Sequence, residues 1–234
     1  MIQEDDRANY WDLGDIRLRA AQAADAQMFA AHFNSSPAWI ERAFERIEPP
    51  RTAGDAGRWL AGHAGGATGS AADEASEADG AEDATGNATG NAMGDSGGAG
   101  DSSVTGAAGD TRVFVIEDAQ SGEFLGYIDV WEADARNGVF RTGVKMLEGK
   151  AGKGHATRAF ARVLRFYFDE LRYQKCSVYI YDFNEASHKF HKKLGFAEEG
   201  RLRREYYSGG RYYDAVYYGL TAEEFRTNNA GNGQ

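Results

Sequence analysis

The sequence predicts an α/β protein of the α+β kind: a mixed, mostly antiparallel sheet flanked by helices. Alternating apolar segments gather in the middle and near the end of the chain. Asn137-Gly138 lies between two of them, a turn signal that makes those two antiparallel neighbours. One strand–helix–strand crossover surrounds Gly149–Phe160, GKAGKGHATRAF.

The elements follow in order. IRLRAA is a short first strand, and ADAQMFAAHF and AWIERAFERI carry helical spacing, the second helix stopping at Pro49 and Pro50. TRVFVIED and EFLGYIDVWE alternate as strands joined through Gln120–Gly122, and VFRTGVKML returns antiparallel. After the glycine loop, Ala156, Ala159, Phe160, Val163, Leu164, Tyr167, Phe168 and Leu171 share one helical face. KCSVYIY is a buried strand, EASHKFHKKL a short helix stopped by Gly195, and LRREYY with YYDAVYYGL a final hairpin.

Charge is uneven along the chain. Of the net −10 over 234 residues, residues 61–110 account for −9, with nine acidic residues and no Lys or Arg. The same 50 positions hold 13 Gly, 14 Ala and no aromatic residue, too little apolar surface to offset about 1–2 kcal/mol of backbone entropy per residue. The expected organisation is an N-terminal part at 1–60, a disordered acidic insertion at 61–110, a core at 111–225 and a polar tail at 226–234. No basic footprint for nucleic acid and no membrane-length apolar run is seen. With an acidic, polar start and Cys176 as the only cysteine, a cytoplasmic protein is expected.

Free N–H groups at a helix N-terminus attract phosphate, and Gly152 and Gly154 let backbone approach it, with Lys150, Lys153 and His155 adding charge. A glycine-lined turn with solvated lysines is the alternative. The Walker A pattern fails because His155 follows Gly154, and a dinucleotide fingerprint fails at Thr157. Ala151-Gly152-Lys153-Gly154-His155-Ala156 instead resembles the acyl-CoA-binding signature of the GNAT acetyltransferase superfamily, Arg/Gln-x-x-Gly-x-Gly/Ala, with Ala151 replacing the usual Arg or Gln. NEASHKFHKKLGF, Asn184–Phe196, resembles that family's second signature. EEGRLRREYYSGGRYYD, Glu198–Asp214, resembles the ending of the ribosomal-protein N-terminal acetyltransferase branch.

The resemblance implies a GNAT fold whose sheet splays after the fourth strand, with acetyl-CoA as co-substrate in the splay. Its pantetheine would pair with backbone at Met146 and Leu147, its pyrophosphate would rest on residues 151–156, and Asn184 would contact it. A backbone N–H near Leu147 would stabilise the oxyanion. His191, at the family's usual Tyr position, would protonate the departing thiolate as an imidazolium. Asn184 also suits a helix N-cap, and His191 also suits a solvated helix position. The expected activity is acetyl transfer to a primary amine: a protein N-terminus, a polyamine or a small amine. A GNAT-fold acyl-CoA sensor without turnover and a nucleotide-phosphate-binding protein are the rival readings. The expected partners are that amine and a second copy in a homodimer, with no nucleic acid, membrane or metal. Asp129, Glu132 and Asp182 are weighed as proton acceptors and none is assigned. Cys176 reads as a small core residue.

Overall fold

The computed structural model describes residues 10–34, 52–64, 112–208 and 210–230. The expected helix at AWIERAFERI, the two prolines and most of the expected insertion lie outside them.

Seven strands form one sheet: β1 (Ile16–Ala20), β2 (Arg112–Asp118), β3 (Phe124–Asp134), β4 (Val139–Met146), β5 (Lys175–Tyr181), β6 (Ala197–Ser208) and β7 (Arg211–Thr221). Their order is β1-β2-β3-β4-β5-β7-β6, and β4–β5 is the only parallel neighbour pair among them. The turn between β3 and β4 spans four residues. Asp134 accepts the N–H groups of Arg136 and Asn137 at 2.9 and 3.0 Å, and Gly138 takes a φ of 66°.

The helices are α1 (Ala26–Asn34), α2 (Ala53–Ala64), α3 (His155–Arg165), α4 (Glu185–Lys193) and α5 (Ala222–Ala230). Helices α1 and α2 cover one face of the sheet, burying Phe29, Phe33, Ala56 and Leu60 against Val113, Val115, Phe124 and Tyr127. The other face is covered by α3, its widened last turn Phe166–Glu170, and α5, with α4 packed at the edge of that core. The i, i+3, i+4 spacing of Phe160, Val163, Leu164 and Tyr167 puts all four at 0% exposure, each contributing about 1.5–3 kcal/mol of burial. Cys176 joins this core, fully buried, and burial pushes its thiol well up.

Two elements differ from the expected organisation. Helix α2 runs to Ala64, four residues past the expected boundary at 60. The expected polar tail after 225 begins inside a helix: α5 starts at Ala222, with Thr221 and Glu224 bonding reciprocally at 3.2 and 2.8 Å and Phe225 buried.

Candidate active site

The parallel pairing of β4 and β5 covers only Val139, Phe140 and Arg141 against Lys175, Cys176 and Ser177. Beyond Arg141 the strands part, β4 continuing to Met146 and β5 to Tyr181, each held by its other neighbour. A wedge opens between them, as the splayed sheet requires.

Which backbone groups face that wedge follows from one bond. Leu147 donates its N–H to the Leu125 carbonyl at 2.8 Å, and Leu147 O accepts the N–H of Lys150 at 3.0 Å. The N–H of Leu147 is therefore taken by the ladder, so a backbone donor to cofactor or oxyanion near Leu147 has to come from its neighbours. In an antiparallel ladder alternate residues turn N–H and C=O to the same side. With Leu147 facing β3, Lys145 and Gly143 face β3 too, across from Tyr127 and Asp129. Thr142, Val144 and Met146 consequently present N–H and C=O to the wedge. Met146, one of the residues expected to meet the cofactor, is among these three.

The glycine loop runs into the N-terminus of α3. Gly149, Gly152 and Gly154 have φ of 72°, 87° and 81°, a conformation that glycine adopts without the penalty of a Cβ. A Cβ at Gly152 or Gly154 would meet nothing within 4 Å, so the loop is an open cradle. Gly154 caps α3 with no side-chain bond, leaving the first-turn N–H groups, including those of His155 and Ala156, directed outward. Ala151 and Lys153 are exposed beside them. An anion fits such a helix end.

The expected cations are less available. Lys150 pairs with Glu123 at 2.7 Å. His155 Nε2 lies 3.4 Å from Asp15, which also pairs with Arg158 at 2.6 Å. The Arg158 hydrogen bond holds the Asp15 carboxyl down to about 2. Asp15 and Arg158 thus belong to the rim of the cradle and were not anticipated. Arg158 stands one helical turn past Gly154, the one signal that pointed to it.

Asn184 caps α4, its Oδ1 accepting the Ser187 N–H at 3.0 Å. His188 fixes the same helix to the sheet, bonded to Tyr218 Oη at 2.9 Å and to the Tyr181 carbonyl at 3.1 Å.

His191 departs from expectation. It is 6% exposed, among Phe160, Phe190 and Phe196 at ring distances of 5.8, 5.1 and 5.2 Å. Its Nδ1 lies 2.9 Å from the Ser187 carbonyl, so the ring proton sits on Nδ1, while the buried Nε2 has no partner among the described residues. Burial lowers its pKa to about 4. The expected imidazolium is corrected to a neutral ring with a lone pair, not a proton, at Nε2.

On the α1–α2 side of the wedge, β5 presents Tyr179 and Tyr181, since Cys176, Val178 and Ile180 point to the opposite core. Tyr179 stacks on Tyr206 at 5.7 Å, and Tyr181 touches Tyr206 and Phe183 at 4.7 and 6.0 Å. Of the three carboxylates weighed, Glu132 pairs with Arg141 at 3.0 Å and Asp182 is exposed. Asp129 is half-buried, and its Oδ1 has no hydrogen-bond partner among the described residues.

Comparison with known proteins agrees with this fold. A family model described as an acetyltransferase (GNAT) domain matches residues 15–197. The SPbeta prophage-derived uncharacterized N-acetyltransferase YokL of Bacillus subtilis is 38% identical over 133 residues, 52% of this chain and 75% of that protein. The putative ribosomal N-acetyltransferase YdaF of the same organism is 30% identical over 104 residues, 44% of this chain and 57% of its own length. Among solved structures, spermidine N-acetyltransferase from Vibrio cholerae in complex with CoA and spermine superposes with a TM-score of 0.65 at 18% identity, covering 91% of this chain and 98% of that one.

Proposed function

The chain belongs to the GNAT acetyltransferase family, and from that premise we propose how its residues act and on what. The reaction is acetyl transfer from acetyl-CoA to an amine nitrogen. In this reading the pyrophosphate rests on the uncapped first turn of α3, with Gly152 and Gly154 leaving room for it. Pantetheine runs along β4 and bonds the backbone of Val144 and Met146, and Asn184 borders it at the head of α4. The same N–H groups stabilise the oxyanion of the attacked thioester, an interaction typically worth about 10²–10³ in rate. The observation that carries the reading is the wedge beyond Arg141 and Ser177, opening beside the glycine cradle.

The acceptor is a primary aliphatic amine entering from the α1–α2 face, with a polyamine as the leading class. A wall of tyrosines across the wedge from a half-buried carboxylate suits an ammonium group. A protein N-terminus is the second reading, supported by the likeness to YdaF. His191 serves as a neutral ring on the buried face of α4 and does not protonate the thiolate. The acceptor binds as an ammonium and gives one proton to solvent before attack; the remaining amine proton passes to the thiolate as the C–N bond forms and the C–S bond breaks. A homodimer belongs to the same reading, with Leu202, Tyr207 and Tyr212 exposed on β6 and β7.

The test is CoA release from acetyl-CoA by the full chain with spermidine, an Ala-initiated peptide and small primary amines. Acetylation of a polyamine ahead of the peptide supports the leading class, and the reverse order supports the second. Binding of acetyl-CoA without release to any amine would point to a sensor.

A further inference from the structure

We propose that Asp129 is the acceptor-anchoring residue: its carboxylate receives the primary ammonium of the amine at the root of the wedge. The inference rests on the acceptor face proposed above and names the residue that selects for charge there. Asp129 lies on β3 opposite Gly143 of β4, two residues beyond Arg141, the last residue of β4 paired with β5. It shares a face with Tyr127 and Trp131, the side covered by α1 and α2.

Gly143 lets the Asp129 and Trp131 side chains of β3 close over β4 at this position. A methyl group built there would lie 3.2 Å from Asp129 Oδ1 and 3.5 Å from the Trp131 ring. The carboxylate and the indole thus both border a strand position that carries no side chain. Across the wedge on the same face stands Tyr179, stacked on Tyr206. A cation approaching the half-buried carboxylate meets it and aromatic faces, between Arg141, which Glu132 neutralises, and Lys145, whose Nζ lies 5.4 Å from the Tyr127 ring centre.

Other carboxylates on the sheet are spent on arginines. Glu132 holds Arg141, Glu117 holds Arg17 and Arg19, and Asp214 holds Arg201. Asp129 Oδ1 is buried and has no partner among the described residues. Burying a carboxylate oxygen unpaired is costly, and a donor cation relieves that cost. The main chain of Asp129 is pinned independently, because Thr142 Oγ1 donates to its carbonyl at 2.8 Å. The side chain is therefore held in place without consuming its own acceptors.

The experiment uses the full chain at saturating acetyl-CoA and compares Asp129→Asn, Asp129→Glu and wild type. Ammonium acceptors are spermidine and an Ala-initiated peptide, whichever the wild type uses faster. Methoxyamine serves as an acceptor uncharged at neutral pH. Asp129→Asn should raise KM for the ammonium acceptor roughly 10- to 100-fold, the range for a hydrogen bond to a charged group. Its kcat/KM for methoxyamine should stay within threefold, and the acetyl-CoA thermal shift should be unchanged. Asp129→Glu should recover part of the loss. A KM within twofold of wild type, or an equal fall for both acceptors, overturns the proposal. If Asp129→Asn does not fold, Gly143→Ala decides, since its methyl crowds the same oxygen: a selective loss toward the ammonium acceptor supports the proposal, and an equal or absent effect overturns it. A wild type inert to every acceptor overturns the acetyltransferase reading itself, a result distinct from failure of Asp129 alone.

Discussion

Leu147 donates its amide proton to the carbonyl of Leu125 across the β3–β4 ladder at 2.8 Å, and that bond sets which way β4 faces. Met146, one residue earlier, turns its N–H to the wedge. Proline at either position removes an N–H and fixes φ alike, so the two variants separate ladder from site. Met146→Pro should lower kcat/KM by roughly 10²–10³ while costing less stability than Leu147→Pro. Leu147→Pro should lose a buried ladder bond, about 1–3 kcal/mol. Thermal melts and steady-state kinetics on both variants check this; equal stability losses with full activity in Met146→Pro would reverse the assignment of faces.

Gly154 caps α3 at a φ of 81° with open space where a Cβ would stand. Gly154→Val should cost about 1–2 kcal/mol in the free protein through its left-handed backbone. It should also abolish stabilisation by acetyl-CoA. For the wild type that stabilisation is about 2.7 kcal/mol at a hundredfold excess over Kd, and ATP should not reproduce it. Differential scanning fluorimetry resolves the two effects, because the first appears without ligand and the second only with it.

His191 makes stability depend on pH. The folded ring titrates at about 4, below its ordinary 6.5, because burial disfavours the charged form. Between those values the unfolded chain binds the proton and the folded chain does not. The contribution is therefore complete above pH 6.5 and is lost as pH falls toward 4, by roughly 3 kcal/mol. In His191→Phe this part of the acid destabilisation should vanish, leaving only that of the carboxylates. Denaturant titrations at pH 7.5, 6 and 4.5 measure the difference. The same low value predicts no loss of kcat near pH 6.5 on the rising side, and such a loss would restore the imidazolium acid.

The acidic Gly/Ala-rich segment is expected to be dispensable. Replacing residues 66–110 by a short Gly-Ser linker leaves α2 whole to Ala64 and β2 whole from Arg112. Because closure entropy varies slowly with loop length, stability should change by about 1 kcal/mol or less. Acetyl transfer should stay within threefold of the full chain, and a larger fall in kcat/KM would make the segment part of the enzyme.

Much of this architecture is legible in the amino-acid pattern, for physical reasons that can be named. The apolar stripe of α3 spans many residues at one period, β5 alternates Cys176, Val178 and Ile180 with Ser177 and Tyr179, and β2 and β3 are short apolar runs rich in β-branched and aromatic residues, set apart as strands by the turn residues between them. The glycines of the cradle announce themselves, because positive φ restricts the residue types that fit. The helix starts at Thr52-x-x-Asp55 and Thr221-x-x-Glu224 are equally written, as reciprocal caps. Both precede short helices with weak apolar faces, which periodicity does not detect.

The site was legible in outline and not in its electrostatics. A signature gives the position of His191 along the chain but not what packs on it, and Phe160 and Phe196 come from other elements. Likewise, the Leu147 contact depended on ladder phase, which one hydrogen bond fixes and no local motif encodes. Asp15 reaches Arg158 across 143 residues of sequence, so only the folded chain brings them together.

The central claim is that this chain moves an acetyl group from acetyl-CoA, held at the wedge and the glycine cradle, to a primary amine. The most direct measurement is mass spectrometry of the products when the purified full chain meets acetyl-CoA and spermidine, with wild type beside Gly154→Val. The account predicts N-acetylated spermidine and free CoA in equal amounts from the wild type, and neither above background from the variant. Free CoA without an acetylated amine across the whole amine panel, or equal product from Gly154→Val, would contradict it.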